Sequence, residues 1–151
     1  MSKIQQIINN SNYSTTLFSA QEIDFLETQI YQKEGKDSFY IKCFVRDKEI
    51  ILKPEEVVHQ LYCYRLINQY NYPKERLVLE YAVNFGREVK RSDIMIKDKD
   101  NPNAAYIIIE VKKPNEKDGE GQLKSYAHAT GSPINVWTKT FKTNMLLTNA
   151  F

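Results

Sequence analysis

Residues 105–114, AYIIIEVKKP, form the stretch that decides the fold of this chain. Residues 106–109 are apolar without polar alternation, which is typical of a central strand covered on both faces. Glu110 and Lys112 follow in the same strand, where burying a charge is costly unless it is paired or binds a metal. Side chains alternate between the two faces of a strand, so Glu110 and Lys112 project to the same side. The stretch therefore predicts either a structural ion pair or a functional site on a buried strand.

The segments around this strand carry both helical and strand patterns. Upstream we predict a helix capped by Ser19, a hairpin around residues 46–48, a helix from Pro54, and strands at 76–83 and 92–97. Downstream we predict a helix over 121–130 and a strand over 134–138. This order predicts an α/β fold with a mixed central sheet flanked by helices.

Composition narrows the class of protein. The 151 residues are 42% hydrophobic and 26% charged, which is typical of one globular domain. The net charge of +2 is too small to require a polyanionic partner, although a local basic patch would suffice for one. The two cysteines and two histidines show no zinc or disulfide spacing. With no apolar signal core and no run of transmembrane length, we expect a cytoplasmic protein without a membrane partner.

Asp93 is a candidate neighbour for the carboxylate of Glu110. Residues 98–104, DKDNPNA, predict a tight turn, so the strand that carries Asp93 can pair antiparallel with the strand that carries Glu110. Two neighbouring carboxylates repel each other, and a divalent cation such as Mg²⁺ is the usual resolution. Lys112 would then orient an attacking water or neutralise developing charge. An acid and a lysine two residues apart are also common in strands, so a structural pair stays open.

The combination SDIMI…YIIIEVKKP resembles the metal-binding core of the PD-(D/E)xK nuclease superfamily, with Ser92 at the position of its proline. Gln122 and Tyr126 resemble the QxxxY pattern of RecB-like nucleases and type I restriction enzymes. Over roughly residues 15–138 the chain is similar to the N-terminal nuclease domain of type I restriction R (HsdR) subunits. Two departures stand out: His59 replaces an arginine, and after Thr138 the chain reads KTFKTNMLLTNAF where the family pattern continues Asn-Gly.

The resemblance implies a role for each matching residue. Asp93 and Glu110 would bind the metal, Mg²⁺ with Mn²⁺ as a possible substitute, and Lys112 would be the catalytic lysine. Gln122 and Tyr126 are included among the catalytic residues, because they would position the substrate strand or support the site.

Further contacts are predicted around this centre. Glu56, on the helix from Pro54, would be an additional metal ligand, although a solvated glutamate in the first turn is an equal alternative. The basic residues expected to contact DNA phosphates are Arg87, Lys90, Arg91, Lys113 and Lys124.

The implied function is a Mg²⁺-dependent endonuclease domain of a type I restriction R subunit that hydrolyses duplex DNA. Its partners would be a helicase-like motor and the methylase and specificity subunits. ATP would act only through that motor, because this chain lacks a phosphate-binding loop. The alternatives are a RecB-like repair exonuclease and a DNA-binding module that does not cut.

We expect one compact domain with three parts. Residues 1–53 would form an N-terminal helix and hairpin extension, residues 54–138 the PD-(D/E)xK nuclease core, and residues 139–151 a tail without an assigned role.

Overall fold

The computed structural model describes residues 1–112, 120–139 and 142–147. Its α-helices are α1 (Lys3–Ile8), α2 (Ala20–Gln29), α3 (Pro54–Asn68) and α4 (Glu120–Thr130). Its strands are β1 (Tyr31–Gln32), β2 (Phe39–Lys42), β3 (Glu49–Ile51), β4 (Leu77–Phe85), β5 (Glu88–Lys97), β6 (Ala105–Val111), β7 (Ile134–Lys139) and β8 (Lys142–Leu147).

The strands of the described residues form two sheets. A small antiparallel sheet has the order β1-β2-β3, and a larger sheet has the order β4-β5-β6-β7-β8. Strand β6 lies at the centre of the larger sheet, antiparallel to β5 and parallel to β7. The predicted mixed α/β architecture and the central position of β6 are therefore confirmed.

Helices cover both faces of the larger sheet. Ile109 and Val111 pack in one apolar cluster with residues of α3, whereas Ile108 packs in a second cluster with Tyr126 of α4. Side chains of a strand alternate between faces, so Glu110 and Lys112 lie on the face of Ile108. The apolar run of β6 therefore packs against both helical layers. Its alternation also fixes the face to which Glu110 and Lys112 point.

Local sequence signals explain where the helices begin. Ser19 caps α2 through a reciprocal capping box with Glu22, as predicted. Glu22 also receives two hydrogen bonds from Arg65, with Nε–Oε1 and Nη2–Oε2 distances of 2.8 Å, which join α2 to α3. Pro54 occupies the first turn of α3, where its missing N–H costs nothing. These contacts hold the N-terminal extension against α3.

The structure adds elements to the sequence prediction. Helix α1, the short strand β1 and strand β8 were not assigned from the sequence; β8 lies within the 139–151 tail and pairs antiparallel with β7. Strands β4 and β5 are also longer than predicted. They continue to Phe85 and Glu88, which pair across a two-residue turn in which Gly86 has a φ of 61°. In the described part of the chain, no helix is long and apolar enough to span a membrane.

Candidate functional site

Asp93 and Glu110 lie next to each other at the end of the β5–β6 ladder. The pairing of Ile94 with Ile109 places Asp93 just before one partner and Glu110 just after the other. The Oδ2 atom of Asp93 accepts a hydrogen bond of 2.6 Å from the backbone N–H of Val111, which fixes the carboxylate against β6. The hairpin therefore brings the two acids together, as the sequence led us to expect.

Burial makes this pair of carboxylates unfavourable in its ionised form. The side chain of Glu110 is 5% exposed, and burial together with the nearby Asp93 raises its pKa from 4.5 to about 8. Burial likewise raises the pKa of Asp93. Among the described residues, Glu110 Oε1 is buried without a hydrogen-bond partner. A bound cation would offset both the repulsion and the lost hydration, so the two acids fit a metal.

Lys112 is held between Glu110 and helix α4. Its Nζ lies 4.0 Å from Glu110 Oε2 and donates a hydrogen bond to Gln122 Oε1. Gln122 Nε2 in turn lies 3.5 Å from the hydroxyl of Tyr126, which donates a 3.1 Å hydrogen bond to the carbonyl of Arg91. The one-turn spacing of Gln122 and Tyr126 on α4 therefore links the lysine that directly follows β6 to the backbone of β5.

This chain of contacts yields a first prediction. Tyr126→Phe removes the donor to the carbonyl of Arg91 and the acceptor for Gln122, and so takes a hydrogen bond from two partly buried polar groups. We expect a loss of about 1–2 kcal/mol in the free energy of unfolding, seen as a fall of roughly 3–6 °C in Tm. Tyr70→Phe, at a ring that is 58% exposed, is the matched control and should leave Tm unchanged. Equal Tm values for Tyr126→Phe and the unaltered chain would contradict the role of this hydroxyl.

The first turns of α3 bring further groups to the same end of β5. Glu56, the predicted additional ligand, has its Oε1 atom 3.5 Å from Nδ1 of His59, and this contact lowers the pKa of Glu56. Nε2 of His59 lies 3.8 Å from Oδ1 of Asp93. Burial alone would lower the pKa of His59, but Glu56, Asp93 and Glu55 together raise it.

Glu55 and His59 are the site residues that the sequence reasoning missed. Each offers one donor atom to a group with Asp93 in which all three atoms lie within 4.8 Å of one another. The available signal was their spacing, because residues four apart lie on the same helix face. The position of α3 against β5 could not be obtained from that spacing.

Backbone strain accompanies the site on the neighbouring strand. Glu80 of β4 has a φ of 53°, and the β4–β5 pairing is interrupted there, between the pairs Leu79–Ile94 and Tyr81–Ser92. A left-handed residue other than glycine costs roughly 1–2 kcal/mol. The carbonyl of Glu80 accepts a 3.2 Å hydrogen bond from Arg91 Nη1. From the register of the flanking pairs, Glu80 lies directly opposite Asp93 on the adjacent strand.

The predicted DNA contacts fall on two exposed surfaces. Arg87, Lys90 and Arg91 are exposed on the β4–β5 hairpin, and Lys124 is exposed on α4. An open pocket of about 500 Å³ lies between this hairpin and α4 and includes Lys124 in its lining. Lys113 lies outside the described residues. Four of the five predicted residues are thus exposed on the β4–β5 hairpin or on α4.

Comparison with known protein families gives a clear match. The family described as "Type I restriction enzyme R protein N terminus (HSDR_N)" matches residues 54–150, well over half of the chain. No curated protein matches significantly. Among solved structures, the crystal structure of SSO0001 is 18% identical with a TM-score of 0.34, and the match covers 61% of this chain and 48% of that one. A likeness at that level supports no conclusion about function.

Proposed function

This chain belongs to the family of type I restriction enzyme R protein N termini, and from that premise we propose that it is a Mg²⁺-dependent DNA endonuclease domain. Its substrate would be duplex DNA, and its core would be of the PD-(D/E)xK type. The motor, methylase and specificity subunits of a type I restriction complex would be its partners. ATP would be used by the motor and not by this chain.

The observation that carries the proposal is the buried pair of carboxylates. Asp93 and Glu110 come from adjacent strands, both have raised pKa values because they are buried, and Glu110 Oε1 has no hydrogen-bond partner among the described residues. A stable fold keeps such a pair only at a cost. Oxygen ligands of this kind suit Mg²⁺, which when bound polarises a phosphodiester and lowers the pKa of a water ligand.

The surrounding side chains have roles that follow from their contacts. The ammonium group of Lys112, beside Glu110, is placed to orient the attacking water and to neutralise charge that develops on the phosphate. Gln122 receives a hydrogen bond from Lys112, and Tyr126 ties this arrangement to β5, so these two are positioning residues. Glu56 contacts His59 through Oε1 and is the additional metal ligand in this proposal.

The basic hairpin provides the expected contacts with DNA. Arg87, Lys90 and Arg91 project from β5 and its turn, and Lys124 lies on the neighbouring helix. Phosphate contacts of this kind position DNA without reading its bases. The proposal therefore leaves target recognition to the specificity subunit of the complex.

Metal removal tests the function directly. The purified chain is incubated with supercoiled plasmid in Mg²⁺, in Ca²⁺ and in EDTA, and open-circular and linear products are measured on gels. We expect nicking with Mg²⁺ and none with EDTA, because the carboxylate pair would hold no cation. A Lys112→Met preparation, purified in the same way, reports any contaminating nuclease.

The other outcomes identify the competing functions. Digestion restricted to free DNA ends would replace the endonuclease with an exonuclease. DNA binding in a gel-shift assay without cleavage under any of these conditions would favour the non-cleaving module.

A further inference from the structure

Residues 82–91, the outer part of the β4–β5 hairpin, form a two-stranded ribbon that extends beyond the rest of the larger sheet. Strand β6 pairs with β5 only between Ile94 and Lys97, and β4 is the edge strand of the sheet. In the part of the chain that the structure describes, the ribbon therefore has no third strand beside it. Four cross-strand pairs hold it together: Ala82–Arg91, Val83–Lys90, Asn84–Val89 and Phe85–Glu88.

One face of the ribbon is packed against α4. Val83 belongs to the apolar cluster of Tyr126, and the rings of Phe85 and Tyr126 meet edge to face with centroids 5.5 Å apart. On the same face, Lys90 Nζ lies 5.6 Å from the centroid of the Phe85 ring and 3.9 Å from Glu88 Oε1. These contacts hold the ribbon in place before any partner binds, which lowers the entropic cost of binding.

The opposite face of the ribbon is exposed to solvent. Side chains alternate along a strand, so this face carries Ala82, Asn84, Val89 and Arg91, and all four are exposed. Val89 is 57% exposed and is paired directly with Asn84. Along the chain Val89 lies between Arg87 and Arg91. An apolar side chain and an amide are therefore presented together between two guanidinium groups.

The charges of the ribbon suit a polyanion. Within residues 82–91 the charged groups are three cations and one acid, Glu88. That acid lies 3.9 Å from Lys90 on the face that packs against α4. The exposed face of the ribbon therefore carries positive charge without an acidic side chain, which favours contact with phosphates.

The size and the side chains of this face fit the major groove of duplex DNA. Paired strands lie about 4.8 Å apart, and the major groove, about 12 Å wide, admits a two-stranded ribbon, whereas the minor groove is only about 6 Å wide. Phosphate contacts would need the arginines alone. Val89 and Asn84 gain contacts in the groove, where a thymine methyl group meets an apolar side chain and an amide can bond to base edges.

The ribbon starts beside the carboxylate pair of the candidate site. Val89 is four residues from Asp93 on the same strand, which corresponds to about 14 Å of extended chain. Stacked base pairs are about 3.4 Å apart. A ribbon in the groove would therefore contact bases within about four base pairs of the phosphodiester bond at the carboxylates.

We propose that the exposed face of residues 82–91 binds in the major groove of the DNA substrate. Val89 and Asn84 lie against the base edges, and Arg87 and Arg91 contact the flanking phosphates. The inference rests on the proposed function, because duplex DNA is the substrate named there. Its consequence is that the groove contact sets which phosphodiester bond reaches the carboxylate pair.

Disulfide crosslinking measures the proximity of the ribbon to DNA without cleavage, with Ca²⁺ in place of Mg²⁺. Each duplex carries one thiol tether, as a mixed disulfide, on N4 of a cytosine in the major groove or on N2 of a guanine in the minor groove. Val89→Cys is compared with Glu88→Cys, on the opposite face of the ribbon, and with Ile51→Cys, at a 50% exposed side chain of β3. The unaltered chain is the blank, because its two cysteines are buried. The protein–DNA disulfide is measured on non-reducing gels.

We expect Val89→Cys to crosslink to the major-groove tether at least roughly tenfold faster than Ile51→Cys, because the bound complex raises the local thiol concentration. Glu88→Cys should react more slowly than Val89→Cys by about threefold or more, since its side chain points away from the groove. The minor-groove tether should show neither preference. All three positions are exposed, so each variant should keep the Tm of the unaltered chain.

The inference is overturned if Val89→Cys reacts no faster than either control, or if it reacts faster with the minor-groove tether. Plasmid cleavage with Mg²⁺ in that situation would leave the nuclease function intact while removing the groove contact. Conversely, the expected crosslinking pattern in a chain that never cleaves DNA would support the groove contact and contradict the nuclease. The two proposals therefore fail separately.

Discussion

Lys112→Met should reduce Mg²⁺-dependent DNA cleavage by about 10²–10³-fold, while leaving metal binding in place. Lys112 is 9% exposed, lies 4.0 Å from Glu110 Oε2 and is held by Gln122. Methionine retains the length and apolar character of the side chain, so it removes the ammonium group without opening a cavity. The loss should therefore appear in the cleavage rate and not in the fold.

Metal binding can be followed in the same variant through Trp137. It is the single tryptophan of the chain, and it pairs with Glu110 in the parallel β6–β7 register, so both side chains lie on one face of the sheet. Mn²⁺ near Glu110 should quench its fluorescence. Lys112→Met should retain this quenching, because removing a nearby positive charge does not weaken the attraction between a cation and Glu110.

The control for Lys112→Met is Lys99→Met, at an exposed lysine in the turn between β5 and β6. It should cleave at the rate of the unaltered chain. Cleavage by Lys112→Met within about threefold of that rate would be far above the loss expected for a catalytic group, and would rule out the assigned role. Loss of cleavage and of Trp137 quenching together would instead identify Lys112 as structural.

Glu110→Gln should make the metal-free protein more stable at pH 8. The pKa of Glu110 is raised from 4.5 to about 8 by burial and by Asp93, so the folded state binds a proton that the unfolded chain has released. Stability from this group is complete below pH 4.5 and is lost as the pH rises towards 8. Glutamine stays neutral throughout and avoids that loss.

A pKa shift of this size corresponds to several kcal/mol in the free energy of unfolding. We expect about 2 kcal/mol of this to remain after relaxation around the carboxylate, which corresponds to roughly 4–8 °C in Tm. Thermal unfolding in EDTA should show the variant above the unaltered chain at pH 8 and close to it at pH 4.5. Addition of Mg²⁺ should stabilise the unaltered chain and not Glu110→Gln, since a ligand that binds only the folded state raises Tm.

Glu75→Gln, at an exposed glutamate just before β4, is the control and should show neither the pH-dependent gain nor the loss of the Mg²⁺ response. A Glu110→Gln protein that is less stable than the unaltered chain at pH 8 in EDTA would mean that Glu110 is stabilised by a partner. Its assignment as a metal ligand would then lose its main support.

The sequence pattern was sufficient to predict those helices and strands whose signals are local. The apolar run 106–109 predicted a central strand, the Ser19 capping box predicted the start of α2, and Pro54 predicted the start of α3; all three are confirmed. Such signals act through neighbouring backbone and side-chain groups, so they can be read without knowing the rest of the fold. The hairpin that brings Asp93 beside Glu110 belongs to the same class, because a seven-residue turn leaves little choice of partner strand.

Contacts between distant segments could not be obtained in this way. The sequence does not indicate that α3 contacts Asp93, because more than thirty residues separate them. His59 and Glu55 were therefore not predicted as site residues. Strand β8 was missed for a similar reason. Its place depends on pairing with β7 at the edge of the sheet and not on a strong periodic pattern of its own.

For this protein the sequence by itself determined the β6 strand and the family to which the chain belongs, and it predicted Asp93, Glu110 and Lys112 as the candidate site. Only the tertiary structure decided how far these three side chains are buried and which other side chains lie beside them. Burial depends on the elements that pack around a residue, and it is burial that raises the pKa of Glu110 and leaves Nε2 of His59 without a hydrogen-bond partner among the described residues. An acid and a lysine two residues apart therefore became a candidate metal centre only when α3 and α4 packed against the two faces of the sheet.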